Sequence, residues 1–203
     1  MQNFILLLWH DLAATTFFEY VAVIFGILSV WFASRENIWV YPTGIINVGL
    51  YIFLFITAKI YAQALVQAFF MVLSVYGWYN WVHNPSSEGQ TAITRLDLKG
   101  WILSVGLIIV GTVLFYFLLR KYTDSPVPML DSFTTSVFFV TMWLMAIKKI
   151  ENWLGWTVGN LILIPLSIMQ HLAFTSIQYI VFLVLAVYGW IEWNKKIKNA
   201  QPQ

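Results

Sequence analysis

The chain alternates long apolar runs with short polar punctuation. Seven runs are long enough to cross a bilayer core as helices, which takes about 20 residues, somewhat fewer at the short end. They cover roughly residues 17–34, 38–58, 60–81, 100–119, 132–147, 153–171 and 174–193. The fifth is short and is expected to recruit flanking residues. The longest connections, HNPSSEGQTAITRLDLK (83–99) and RKYTDSPVPMLD (120–131), carry proline, serine and charge. Both read as solvated loops. The first 16 residues, MQNFILLLWHDLAATT, lack a basic leader and a cleavage site. They read as an interfacial segment whose apolar run is broken by Trp9, His10 and Asp11.

The third and seventh runs end in the same phrase. Val75 to Trp81 reads VYGWYNW, and Val187 to Trp193, 112 positions on, reads VYGWIEW. Upstream, ENIWVYPTGIIN (36–47) and ENWLGWTVGN (151–160) both begin Glu-Asn, carry Trp and Gly, and end on an Asn inside a run. Asn47 precedes Tyr76 by 29 positions, and Asn160 precedes Tyr188 by 28. Chance similarity of aromatic-rich helix ends would not preserve both order and spacing. Runs one to three and five to seven therefore read as two copies of one three-helix unit, with run four between them. A three-helix unit starts and ends on opposite sides of the membrane. The intervening span restores the parallel orientation of the second copy. The expected fold is an all-α membrane protein with seven transmembrane helices in a 3+1+3 parallel-repeat arrangement, SWEET-like, its repeats related about the membrane normal. Its parts are an N-terminal interfacial segment (1–16), the first repeat (17–83), a linker with helix 4 (84–131), the second repeat (132–194) and a cytoplasmic tail (195–203).

Composition supports a membrane protein. The chain is 60% hydrophobic and 10% charged, against about 25% charged in soluble domains. The net charge of +2 gives no reason to expect a nucleic-acid partner. The absence of cysteine removes disulfides, thiolate metal sites and cysteine nucleophiles. With seven spans, Lys59, Arg120 and Lys121 share one side. The other side holds Arg35, Arg95, Lys99, Lys148, Lys149, Lys195, Lys196 and Lys198. This excess of 8 over 3 places the C-terminus in the cytoplasm and the N-terminus outside a plasma (inner) membrane.

Polar side chains at membrane depth are costly and face a cavity or one another. Trp153 and Trp156 open the sixth run at i and i+3, on one helix face, and Asn160 extends that face a turn deeper. Two aromatic planes and an amide suit a flat cationic ring bearing hydroxyl or carboxamide groups. Interfacial tryptophans plus a helix–helix amide bond would give the same pattern. Asn47, matched to Asn160 in the first repeat, reads as a cavity residue or as a tie between spans. Gln67, one turn deeper than Gln63, is the better ligand candidate of the two. Ser176 and Gln178 occupy the matching region of run seven. Pro42 and Pro165 are candidate kinks. Glu19 is the one carboxylate within a run, near its outer end, and His10, His83 and His171 are scattered. There is no facing aspartate pair, no buried Schiff-base lysine, no zinc-type cluster and no midplane carboxylate. Neither catalysis nor a metal or cofactor is expected, and uncoupled transport is favoured over ion-coupled transport. A seven-span receptor or scaffold stays open as a different class.

ENIWVYPTGIINV, then Tyr61-Ala62 with Gln67, VYGWYNW, and ENWLGWTVGN in the second half resemble the PnuC family of bacterial vitamin transporters. The resemblance runs from about residue 17 to 194. It implies seven spans in the 3+1+3 arrangement, a homotrimer, and facilitated diffusion of nicotinamide riboside into the cytoplasm, where a kinase traps it. Relatives carrying thiamine make that vitamin the alternative substrate. The implied site is Gln67, Trp153, Trp156 and Asn160, with Asn47 as pseudo-symmetric partner. One departure concerns selectivity. Some nicotinamide riboside carriers have Ser-x-Glu-Tyr in span 7, and this chain has Ser176-Ile177-Gln178-Tyr179.

Overall fold

The computed structural model describes residues 15–83, 92–123, 125–170 and 172–200. The expected interfacial segment through Ala14, with His10, and also His171, lie outside them. Seven helices follow one another: α1 (Phe17–Ser34), α2 (Val40–Thr57), α3 (Tyr61–His83), α4 (Leu98–Tyr122), α5 (Pro128–Ala146), α6 (Asn152–Met169) and α7 (Ala173–Asn199). Six are long and apolar enough to cross a membrane. The exception is α3, where Gln63, Gln67, Asn80 and His83 lower the hydropathy. Its Leu65, Phe69 and Val72 still form an exposed apolar stripe at helical spacing. The molecule is an all-helical, multi-pass membrane protein.

Local chemistry sets the helix ends. Thr16 caps α1 by accepting from Glu19 N at 3.3 Å, and Asp97 caps α4 by accepting from Gly100 N at 2.8 Å. The fifth run extends back to Pro128, which fits the first turn because no helical N–H is needed there. Pro42 also lies in a first turn, that of α2, and so removes no helical bond. Of the two candidate kinks, only Pro165 lies in a helix interior, beyond the first turn. The seventh helix continues beyond the apolar run, so the first residues of the expected tail are helical, with Lys196 and Lys198 in its last turn.

One loop departs from expectation. The segment before α4 pairs with the α5–α6 connection as a single parallel bridge, Thr94 with Lys149. Thr94 N donates to the Lys148 carbonyl at 3.1 Å, and Ile150 N donates to the Thr94 carbonyl at 3.0 Å. Leu96 N donates to the Glu151 carboxylate at 3.0 Å. This part of the 83–99 connection is a strap whose backbone bonds were invisible to a composition-based reading.

Helix α2 packs on α1 and α3; likewise α6 packs on α5 and α7, while α4 leans on α5. Two further pairings cross between the halves, α1 with α7 and α3 with α5. The contacts recur at an interval of 112 residues. Trp81 Nε1 donates to the Met145 carbonyl at 3.2 Å, and Trp193 Nε1 donates to the Ala33 carbonyl at 3.0 Å. Trp81 meets Tyr41 edge-on at 5.2 Å, and Trp193 meets Trp153 edge-on at 5.6 Å. At this interval Asn47 corresponds to Gly159, and Asn160 to Val48. The matching of Asn47 with Asn160 is therefore off by one residue, about 100° around a helix.

The glycines of the two VYGW phrases make this packing possible. A Cβ on Gly77 would lie 2.5 Å from the Tyr41 hydroxyl, and one on Gly189 would lie 2.5 Å from the Trp153 ring. Both aromatics are fully buried, so neither can swing away. Gly77→Ala and Gly189→Ala should each destabilise the fold by about 1–3 kcal/mol, the usual cost of overpacking. Thermal unfolding in detergent measures this; unchanged melting of both variants would contradict the packing described.

Candidate functional site

The five candidate side chains fall into two groups. Asn47 and Trp153 make packing contacts, although the buried Trp153 Nε1 has no acceptor among the described residues. Asn47 Nδ2 donates to the Ala22 carbonyl of α1 at 2.7 Å. It also fills the space beside Gly26, where an added Cβ would lie 2.9 Å from that nitrogen. This is the interhelical tie that the sequence left open as one of two readings. Trp153 is 0% exposed, wedged against Gly189 and the Trp193 ring. It does not stack on Trp156. One turn along α6, Trp156 turns instead to Phe138 of α5, with ring centroids 5.1 Å apart.

Gln67, Trp156 and Asn160 keep polar atoms available. Asn160 Nδ2 donates to the Trp156 carbonyl at 2.7 Å, which fixes the amide and leaves Oδ1 without a donor among the described residues. Gln67 is half-buried and its amide makes no hydrogen bond to the described residues. Helix α5 lies between their elements. Its Phe138 touches Trp156 of α6, and its Phe139 touches Phe69 and Phe70 of α3. No hydrogen bond joins Gln67 to Asn47 or Asn160.

Two glycines let α6 approach α5 closely enough for this. A Cβ on Gly155 would run into Thr141, and one on Gly159 would run into Phe138. Their small-xxx-small spacing is the usual device for close helix contact in membranes. The corresponding contact in the first half is inverted in size, with Gly26 on α1 facing Asn47 on α2. The second half therefore presents aromatic rings where the first presents an amide tie.

Further polar groups lie nearer the opposite end. Gln178 of α7 sits against the Tyr51 hydroxyl of α2. A cavity of about 240 Å³ opens between α3, α4 and α5, lined by Gln63, Thr123, Ser125, Asp131 and Thr135 among apolar residues. Ser125 Oγ donates to Asp131 at 2.5 Å. Among the described residues no group of three or more His, Asp or Glu could hold a metal.

Sequence reasoning missed the pair Glu36 and Lys148. Lys148 Nζ lies 2.6 Å from Glu36 Oε1, and Lys196 Nζ lies 2.8 Å from Glu36 Oε2. Burial holds the Lys148 ammonium below the ordinary lysine range, against the opposing pull of Glu36. The two residues are 112 apart, so the interval of the VYGW phrases was the signal that could have joined them.

A family model described as the nicotinamide mononucleotide transporter matches residues 16–195. The chain belongs to that family, whose members are membrane transporters and not enzymes. It is 32% identical over 200 residues to the nicotinamide riboside transporter PnuC of Escherichia coli (strain K12), across 86% of this chain and 84% of that protein. It is 31% identical over 196 residues to the protein of the same name from Neisseria mucosa, across 90% of this chain and 74% of that one. A more distant relative at 24% identity over 190 residues, covering 92% and 85% of the two chains, is the riboflavin/roseoflavin transporter RibM of Streptomyces davaonensis. The crystal structure of the vitamin B3 transporter PnuC superposes with a TM-score of 0.73 at 26% identity, covering 98% of this chain and 91% of that one.

The division of labour among the candidates is testable. Asn47→Leu removes one interhelical bond and should lower stability by about 0.6 kcal/mol, the typical value in a membrane. Ligand binding should change far less than in Trp156→Ala. Thermal unfolding and fluorescence titration on the same preparations check this. A variant that melts normally but loses binding would return Asn47 to the ligand site.

Proposed function

We propose that this chain carries nicotinamide riboside into the cytoplasm by facilitated diffusion. Similarity to nicotinamide riboside transporters over most of both chains carries the reading. The two repeats, 17–83 and 132–194, move as parallel three-helix units in a 3+1+3, SWEET-like arrangement, with α4 in the linker 84–131. The recurrence of contacts at 112 residues supports this arrangement. Substrate sits between the repeats near the midplane, as in transporters of this class. Trp156 faces the cationic pyridinium, and Asn160 and Gln67 meet the carboxamide and ribose. Asn47 and Trp153 hold the helices that carry them. The basic end of the bundle, where α7 terminates, is cytoplasmic, and the N-terminus is outside. The protein works as a homotrimer, and a cytoplasmic kinase traps the riboside.

Charge favours the riboside over its phosphorylated form. Among the described residues, α1, α2, α3, α5 and α6 contain no Lys or Arg, and those of α4 and α7 lie near helix ends. A phosphate entering the midplane would meet no cation. An uncoupled mechanism follows similarly, because no carboxylate is available at mid-span to bind a coupling proton or sodium ion.

One reconstitution experiment tests these points together. Liposomes containing the protein should take up labelled nicotinamide riboside without any ion gradient. Unlabelled riboside should compete, nicotinamide mononucleotide should not, and competition by thiamine measures the alternative substrate. Trp156→Ala and Asn160→Ala should each weaken riboside binding by about ten-fold, roughly the loss of one good contact. A requirement for a proton or sodium gradient would overturn the uniport. Undiminished binding in both variants would overturn the site.

A further inference from the structure

Helices α1 and α5 end alike. Glu36 has φ 60° and Lys148 has φ 52°, the left-handed conformation that glycine usually supplies beyond a helix C-terminus. Around each, the backbone closes the same pair of bonds. Glu36 N donates to Ala33 and Asn37 N to Phe32; Lys148 N donates to Met145 and Lys149 N to Leu144. A residue with a Cβ is strained in this conformation. Lys59, at φ 61°, ends α2 in the same way; what sets Glu36 and Lys148 apart is that they lie 112 residues apart and carry opposite charges that meet across the molecule.

The meeting point is enclosed. The side chains of Lys148 and Glu36 are 3% and 10% exposed. The Lys148 ammonium also lies 4.4 Å from the centre of the Trp81 ring. Trp81 and Trp193, each bonded to a carbonyl of the other half, stand 6.3 Å apart beside it. A buried ion pair adds little net stability, yet removing one partner strands the other charge. Such a pair penalises half-open states and tolerates two: fully closed, or opened wide enough for both ions to hydrate.

We propose that Glu36 and Lys148 are the latch that seals the bundle at the end where α1, α3, α5 and α7 terminate, and that substrate leaves by this end only when the pair separates. The proposal rests on alternating access between the two halves, and it does not depend on which vitamin is carried. Lys196, on the second oxygen of Glu36 and more exposed, is the outer part of the latch. It offers the carboxylate a partner as Lys148 withdraws.

The absence of cysteine from the chain allows a direct test. Asn160→Cys, introduced into the full-length protein, places one thiol beyond the latch at a buried position. A membrane-impermeant maleimide is applied from the side bearing the C-terminal end of α7, in membrane vesicles of known orientation. Glu36→Gly and Lys148→Gly each remove one charge while relieving the left-handed strain, and thermal unfolding of each variant separates loss of folding from opening of the latch. Each should raise the labelling rate by about ten-fold or more, as expected for a closed state that is no longer favoured. Lys148→Arg, which keeps the charge opposite Glu36, should accelerate labelling clearly less than Lys148→Gly. Unchanged labelling in both glycine variants overturns the latch, as does equal acceleration by Lys148→Arg. Labelling needs no substrate, so failed riboside uptake by the protein with Asn160 intact, alongside the expected labelling pattern in the Asn160→Cys variants, would count against the vitamin assignment alone.

Discussion

Two indole N–H groups hold this protein together across its two halves. In a bilayer the interior offers no water, so a buried N–H is stabilised by an acceptor within the protein; of the buried indoles here, Trp81 and Trp193 have one and Trp153 has none among the described residues. The carbonyls at a helix C-terminus are the natural supply, because the last turn leaves them without a helical partner. Trp193 uses the Ala33 carbonyl at the end of α1, and Trp81 uses the Met145 carbonyl at the end of α5. Each half thereby completes the helix end of the other. At about 1 kcal/mol net per bond neither is large, but together they fix which ends meet and in what register. The glycines of VYGW, the edge-on aromatic pairs and the facing charges of Glu36 and Lys148 all depend on that register.

Contacts recur at 112 residues, and the side chains at matching positions differ. Equivalent positions keep their backbone conformation while exchanging side chains. Tyr41 becomes Trp153, Glu36 becomes Lys148, and the Gly26–Asn47 contact becomes Phe138–Gly159. The last exchange gives the second half an aromatic wall beside Trp156 and frees the Asn160 amide oxygen from any helix tie. A symmetric pair of sites would give the substrate two equivalent poses.

Much of this was legible in the sequence because membrane helices announce themselves by length and apolarity. All seven runs became helices, with ends shifted by a few residues where capping decided them, as at Pro128 and beyond Trp193. The repeated VYGW phrase was also legible, and its interval of 112 is the interval of the contacts. Pairings between distant loops were not. Glu36 and Lys148 read as ordinary loop charges until folding brings them within 2.6 Å. The strap at Thr94 depends on backbone bonds that composition cannot show. Trp153 and Trp156 were taken as one face by helical spacing, yet they part because Gly189 opens a slot for one ring and Phe138 attracts the other. Matching Asn47 with Asn160 by motif position alone missed by one residue, which on a helix is enough to turn a side chain to a different neighbour.

The central claim is that a flat cationic vitamin is read by Trp156 and Asn160 of α6 together with Gln67 of α3. An experimental structure with nicotinamide riboside bound tests it most directly. The account predicts ligand density with the pyridinium against Trp156 and polar contacts to Asn160 and Gln67. Density confined to the cavity lined by Gln63 and Asp131, or outside the helix bundle, would contradict it.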